Sequence, residues 1–104
     1  MKTFSVYILE CSDKSYYIGV TSSLEKRLQQ HNVGYNEKAY TFKRRPVYLK
    51  WFQNFIDPNL AIRKEKQLKG WSRKKKMALI EKDWGKLIAY SKNYTENGAS
   101  TGSA

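Results

Sequence analysis

The stretch FSVYILECSDKSYYIGV, from Phe4 to Val20, contains two strand-like segments on either side of a polar turn. Its first part, Phe4 to Leu9, is rich in β-branched and aromatic side chains and predicts a buried strand. The polar residues Ser12 to Ser15 supply turn chemistry, and Tyr16 to Val20 has the composition of a returning strand. The stretch therefore predicts a β-hairpin that begins an antiparallel sheet.

The residues after the hairpin predict a helix. Ser22 and Glu25 have the spacing of a capping box, which satisfies backbone N–H groups at a helix start. Gly34 is a natural end, because glycine adopts the left-handed conformation that closes a helix. Arg27 and His31 are four residues apart and therefore share one face of this helix.

The rest of the chain predicts one more strand and two more helices. The strand is Val47 to Phe52, where apolar residues alternate with others. The second helix begins at Asp57-Pro58 and ends near Lys69, and the third is capped by Ser72. The predicted fold is α+β, a small three-stranded antiparallel sheet flanked by helices in the order β-β-α-β-α-α.

The length of the chain predicts one domain followed by a tail. A chain of 104 residues and 12.2 kDa has room for a single domain, which we place at residues 1–92. Trp84, Leu87 and Ile88 are expected to pack the end of this domain on its core. Residues 93–104 are small and polar and are predicted to be disordered.

Several classes of protein are excluded by composition. No apolar run approaches the ~20 residues of a membrane-spanning helix, and the start of the chain has no signal-peptide pattern. The single cysteine, Cys11, excludes an internal disulfide framework, and with the single His31 it excludes a zinc site of Cys and His residues. We expect a soluble, cytoplasmic protein.

The net charge of +11 is unevenly distributed. Arg63 to Lys76 contains eight basic residues against Glu65, and Lys26 to Lys50 contains seven against Glu37. Such fields attract polyanions, of which nucleic acid is the commonest in a cell. The alternatives are a solvated lysine-rich surface without a partner and, less favoured, binding to an anionic membrane surface.

Glu65 has two possible roles. It is the only acid within the basic stretch, and it projects from a partly apolar helix face. It either forms an ion pair with Arg63 or Lys69, or it is a carboxylate ligand of one divalent cation. Mg²⁺ commonly takes one or two carboxylates and completes its shell with water and phosphate oxygens.

The residues on the first helix and the hairpin also leave two interpretations open. Arg27 and His31 could hold a phosphate, or His31 could move a proton; the alternative is a surface pair on an amphipathic helix. Tyr7, Tyr16 and Tyr17 have a packing explanation, because tyrosine is common in strands.

Taken together, these residues resemble the GIY-YIG nucleases. Val6-Tyr7-Ile8 and Tyr17-Ile18-Gly19, on consecutive strands, resemble the paired motif that names the family. Leu24 to His31 is similar to the family's first helix with its Arg and His. Arg63 to Arg73 closely resembles the second helix of the short bacterial members related to the N-terminal domain of the excinuclease C subunit. The resemblance covers roughly residues 4–88.

The resemblance implies a metal-dependent phosphodiesterase that hydrolyses DNA. Glu65 would hold one divalent ion, Mg²⁺ or Mn²⁺, and Arg27 would stabilise the charge of the transition state. Tyr7 and Tyr17 would frame the attacking water. One of them, as phenolate or through His31, would take its proton, and we favour Tyr7 as the base with Tyr17 positioning the water.

Binding and specificity follow the same resemblance. The basic side chains expected to contact nucleic acid are Lys69, Arg73, Lys74, Lys75, Arg44 and Arg45. So small a domain predicts structure-selective or weakly specific cleavage, with targeting by self-association or a partner protein; RNA is a possible substrate. The alternative function is a non-catalytic nucleic-acid-binding module of the same fold. The chain also departs from the family, because we find no counterpart of the Asn that larger members carry after the metal-binding Glu.

Overall fold

The central strand of the sheet is buried along almost its whole length. A computed structural model describes residues 2–98, with side chains for residues 2–91. Strand β1 (Phe4–Glu10) lies between β2 (Tyr16–Thr21) and β3 (Tyr48–Phe55), and both pair with it antiparallel. The predicted hairpin and the predicted three-stranded antiparallel sheet are confirmed.

One face of β1 packs against the first helix, α1 (Leu24–Val33). Tyr7 and Leu9 point to the same face because side chains two residues apart in a strand do so. They form a buried cluster with Cys11 and Val47, and leucines of α1 pack against it. Apolar burial therefore fixes α1, and with it any polar residue of that helix, beside Tyr7.

The start of α1 differs from the predicted capping box. Ser23, not Ser22, is the N-cap, and its side chain makes no capping hydrogen bond. The Thr21 hydroxyl instead accepts a hydrogen bond from the Ser23 N–H at 3.1 Å. The turn before the helix is therefore closed by the side chain of Thr21, not by that of the predicted cap Ser22. The end of α1 is as predicted, since Gly34 adopts the left-handed conformation with φ of 73°.

The second helix, α2 (Pro58–Lys69), packs on the sheet and contacts all three strands. Its predicted start is confirmed, because an Asp57 carboxylate oxygen accepts a hydrogen bond from the Asn59 N–H at 2.8 Å. Ala61 and Leu68 are fully buried, and their spacing of seven residues places them on one face of the helix. That face holds α2 against the sheet.

Among the described residues, 2–69 form one compact unit and 70–98 form a second. In it, α3 (Arg73–Ile80) begins as predicted at Ser72, whose hydroxyl oxygen accepts a hydrogen bond from the Lys75 N–H at 3.2 Å. The predicted element order is followed by a further helix, α4 (Trp84–Gly98), which packs with α3. No described helix is long and apolar enough to cross a membrane.

Helix α4 extends into the segment predicted to be a tail. Residues 93–98 are helical, because the chain holds no Gly or Pro between Lys86 and Asn97 to interrupt the helix; residues 99–104 lie outside the described residues. Trp84 and Ile88 are 54% and 59% exposed, and their spacing of four residues places them on one face of α4. The expected packing of this end on the core stays a prediction.

We expect Leu68→Ala to lower the free energy of unfolding by about 2–5 kcal/mol, because it leaves a cavity between α2 and the sheet. Leu60→Ala is the matched control on the same helix. Leu60 is 45% exposed, so its truncation should cost under about 1 kcal/mol. Urea unfolding followed by circular dichroism measures both, and equal losses would contradict this account of the core.

Candidate active site

Tyr7 is at the centre of a buried polar cluster. Its side chain, on the central strand, is 1% exposed. Its hydroxyl lies 3.2 Å from Nε2 of His31 on α1, and the Arg27 guanidinium donates a second hydrogen bond to it. Three residues singled out from the sequence therefore meet at one phenolic oxygen.

Gly19 provides the space that the Tyr7 hydroxyl occupies. The two residues are directly opposite each other in the register of β1 and β2. A Cβ at position 19 would overlap the Tyr7 hydroxyl and its ring carbon. The third residue of the Tyr17-Ile18-Gly19 motif thus has a steric role that the sequence alone does not reveal.

His31 is buried between the sheet and a loop. It is 9% exposed, and its Nδ1 lies 2.8 Å from the Thr41 hydroxyl oxygen. Burial, with a smaller contribution from the Arg27 charge, lowers the pKa of His31 below its ordinary value, so the ring is neutral at neutral pH. The interpretation of His31 as part of a surface pair is therefore wrong, because the helix turns this side chain inward.

Tyr17 flanks the same imidazole. Its ring centroid lies 5.1 Å from that of His31 in an edge-on arrangement, and 6.3 Å from that of Tyr7. On its other side Tyr17 stacks with Tyr40 at 6.2 Å. Unlike Tyr7, Tyr17 is only partly buried, so it is the motif tyrosine that reaches the surface.

The surroundings of Tyr7 keep its hydroxyl protonated. Burial raises the pKa of Tyr7 far above its ordinary value, and the nearby Tyr17 and Glu65 raise it further. Arg27 acts in the opposite direction through its charge and its hydrogen bond, without cancelling the effect of burial. A phenol, rather than a phenolate, therefore faces His31 in the protein without substrate.

Glu65 is close enough to affect Tyr7, and it also has a cationic partner. Its side chain on α2 is 17% exposed, and Oε2 lies 3.2 Å from Nζ of Lys69 one helical turn away. The predicted ion pair is thus present. Within residues 2–98, no group of three or more His, Cys, Asp or Glu side chains is arranged to hold a metal.

A pocket of about 230 Å³ opens beside this cluster. Tyr17 and residues of α1, including Arg27 and His31, form one part of its lining, and the loop after α1 forms the rest, including Tyr35 and Thr41. Sequence reasoning missed Tyr40 and Thr41. The only sequence signal was the aromatic content of the polar loop, and this does not indicate which of its side chains face the site.

The predicted nucleic-acid-binding residues fall into three groups. Lys69 pairs with Glu65 but is 56% exposed. Arg44 and Arg45 already have partners: Arg44 contacts Asp13 of the hairpin turn at 3.0 Å, and Arg45 donates to the Phe42 carbonyl oxygen of its own loop at 2.8 Å. Three more lie at the start of α3 in the second unit: Arg73, Lys74 and Lys75. Their contact with nucleic acid stays a prediction.

The fold is that of a GIY-YIG catalytic domain. The profile of the GIY-YIG catalytic domain matches residues 3–78, and the chain belongs to the GIY-YIG family. It is 45% identical over 78 residues to a UPF0213 protein of Syntrophus aciditrophicus, covering 75% of this chain and 90% of that one. A UPF0213 protein of Haloquadratum walsbyi is 43% identical over 76 residues, covering 73% and 84%.

Two solution NMR structures are similar to this fold. One is a UPF0213 protein from Bacillus halodurans, with 32% identity, a TM-score of 0.52 and coverage of 93% of this chain and 99% of that one. The other is a protein from E. faecalis, with 29% identity, a TM-score of 0.53 and coverage of 98% and 96%. The predicted family and fold class are confirmed, and the names of these relatives state no activity.

Gly19→Ala should displace Tyr7 and lower the free energy of unfolding by about 1–3 kcal/mol, the usual cost of overpacking a core. Gly85→Ala is the matched control. A Cβ at Gly85 meets only an Asp83 oxygen at 3.7 Å, so this change should be neutral or stabilising by up to about 1 kcal/mol. Urea titration compares the two variants, and similar midpoints would refute the steric role of Gly19.

His31 should make stability depend on pH. Its pKa is lower in the folded protein, so between that value and about 6.5 the unfolded chain binds more protons. Stability is therefore lost as the pH falls through this window, by about 1.4 kcal/mol per unit of pKa difference. Urea midpoints at about pH 7 and pH 5 should differ more for the wild type than for His31→Gln; an equal difference would contradict the prediction.

Proposed function

We propose that this protein is a divalent-metal-dependent endonuclease that hydrolyses DNA phosphodiester bonds with structure-selective or weak specificity. The observation that carries the proposal is the hydrogen-bonded set at one buried oxygen: Tyr7, His31 and Arg27. A general acid–base pair next to a cation is what phosphodiester hydrolysis needs, because water must lose a proton while negative charge builds on phosphorus.

The proton path runs from water to Tyr7 and then to His31. The water oxygen forms a bond to phosphorus as its proton passes to the Tyr7 oxygen. The Tyr7 proton moves at the same time to His31 Nε2, 3.2 Å away. The bond from phosphorus to the leaving oxygen breaks, and that oxygen takes a proton from solvent. This relay avoids a free phenolate, which the raised pKa of Tyr7 makes costly.

Arg27 supplies charge stabilisation and access. It is exposed on α1 while its guanidinium bonds to the buried Tyr7 hydroxyl. When the guanidinium binds a phosphate, it moves towards solvent and gives water access to the Tyr7 hydroxyl. The positive charge of Arg27 then faces the phosphate oxygens, where negative charge increases in the transition state. Tyr17, at the pocket lining, positions the water.

Glu65 is the residue that would hold the metal ion. One partly buried carboxylate near Tyr7 suits Mg²⁺ or Mn²⁺, which bind oxygen and accept most of their ligands from water and substrate phosphate. When bound, such an ion supplies Lewis-acid stabilisation of the phosphate and leaving oxygens. Lys69, now paired with Glu65, would be released to contact phosphate.

The substrate class follows from charge. A net charge of +11 and the basic residues of α2 and α3 favour a polyanion. We propose DNA as the substrate, with RNA as the alternative to be tested. A binding module without catalysis is the second candidate function, and the Glu65–Lys69 ion pair favours it, since that pair satisfies the carboxylate without metal.

Glu65→Gln should lower metal-dependent cleavage by about 100-fold or more, a loss typical of removing one electrostatic contact to the transition state. The assay measures cleavage of supercoiled plasmid, branched DNA, single-stranded DNA and RNA with Mg²⁺, Mn²⁺ or EDTA. Binding to the same substrates should be retained, because the substitution removes negative charge from a basic surface.

The matched control is Glu81→Gln, which changes the net charge equally at an exposed residue at the end of α3. It should cleave like the wild type. Tight, salt-sensitive binding without cleavage under any condition would overturn the nuclease proposal and favour the binding module. Equal cleavage by Glu65→Gln and the wild type would remove Glu65 from the site.

A further inference from the structure

Thr41 is an almost completely buried residue in a polar loop. It is 1% exposed, and its hydroxyl oxygen lies 2.8 Å from His31 Nδ1. A threonine hydroxyl either donates or accepts a hydrogen bond. The direction of this bond therefore depends on which nitrogen of the neutral imidazole carries its proton.

The partners of Tyr7 favour one direction. Arg27 can only donate hydrogen bonds, and His31 Nε2 is an acceptor within hydrogen-bond distance of the Tyr7 hydroxyl. The buried O–H group is therefore satisfied when it directs its proton to Nε2. With Nε2 as the acceptor, the proton of neutral His31 is on Nδ1. The Nδ1–H group then donates to the Thr41 hydroxyl oxygen. The bonds form one chain with a single direction, from Tyr7 through His31 to Thr41.

The backbone around Thr41 is held in place from both sides. Its carbonyl oxygen accepts a hydrogen bond from the Arg44 N–H at 3.0 Å. The Arg44 side chain donates to the Tyr40 carbonyl oxygen at 2.8 Å and to the Asp13 carboxylate at 3.0 Å. A side chain on so tightly bonded a loop has a fixed position from which it can orient another group.

We propose that Thr41 is a positioning residue: its hydroxyl fixes His31 in the Nδ1–H tautomer, which leaves Nε2 ready to take the proton of Tyr7. The proposal extends the proposed function, because the catalytic use of this tautomer rests on the Tyr7–His31 relay. Its structural part does not depend on that function. A histidine ligand or base commonly relies on such a partner at its second nitrogen.

The tautomer can be measured directly, because His31 is the only histidine of the chain. Long-range ¹H–¹⁵N spectra of histidine-labelled protein above neutral pH distinguish a protonated ring nitrogen from an unprotonated one. The wild type should show a protonated Nδ1 and an unprotonated Nε2. A proton on Nε2 in the wild type would overturn the proposal without any variant.

Three variants test the role of the hydroxyl. Thr41→Val keeps the shape but removes the acceptor, so the Nδ1–H population should fall; Thr41→Ser keeps the acceptor and should retain it. Thr21→Val removes another buried threonine hydroxyl, bonded to Ser23, and should leave the tautomer unchanged. An unchanged tautomer in Thr41→Val would overturn the proposal. If Thr41→Val does not fold, a proton on Nε2 in the wild type or in Thr41→Ser would still overturn the proposal.

A cleavage assay separates this inference from the function on which it rests. Thr41→Val should lower kcat by about 10- to 100-fold, the usual effect of losing a residue that orients a functional histidine, with KM unchanged and Thr41→Ser close to the wild type. If the tautomer is as expected but no protein cleaves, the positioning stands and the nuclease proposal fails. If the wild type cleaves with its proton on Nε2, the positioning fails alone.

Discussion

The buried hydrogen bond between the Tyr7 hydroxyl and His31 Nε2 constrains everything around it. Both groups have left water, and a buried polar group without a partner is costly. The bond therefore requires α1 to lie beside β1 in one orientation. It also requires Gly19 opposite Tyr7, because any larger residue would occupy the place of the hydroxyl. One interaction thus links the strand pairing, the helix docking and the composition of the candidate site.

Packing and chemistry are combined in the same residues. The sequence left two roles open for the tyrosines of the hairpin, packing in the core or a place in the candidate site. Tyr7 has both, because its ring packs in the cluster with Leu9 and its hydroxyl contacts His31. Glu65 likewise has two roles in the account given above: it pairs with Lys69 in the structure, and the proposed function assigns it the metal ion. In a domain of this size few buried positions are available, so the site is built from the core itself.

The sequence predicts the elements well and the site only in part. The hairpin, the second helix and the Ser72 cap depend on local patterns, namely strand composition, Asp-Pro and a serine N-cap, so their signals lie within a few residues. The burial of His31 depends on the docking of α1, and its contact with Thr41 spans a loop without periodicity. Contacts between residues distant in the chain produce no regular spacing in the sequence, so the sequence does not predict them. The family resemblance supplied Tyr7, Arg27, His31 and Glu65, but it gave no reason for Gly19 or Thr41.

The basic residues of the chain lie in two kinds of surroundings, which the net charge alone does not distinguish. Arg44 and Arg45 donate hydrogen bonds to Asp13 and to carbonyl oxygens of the loop. Each guanidinium also lies over an aromatic ring of that loop. These contacts order the segment that carries Thr41. The lysines of α2 and α3 are different, since several stay exposed and a lysine is a flexible point charge suited to phosphate. Arg44 and Arg45 therefore order the loop beside His31, whereas the exposed lysines of α2 and of α3 are the side chains to which the proposed function assigns phosphate binding.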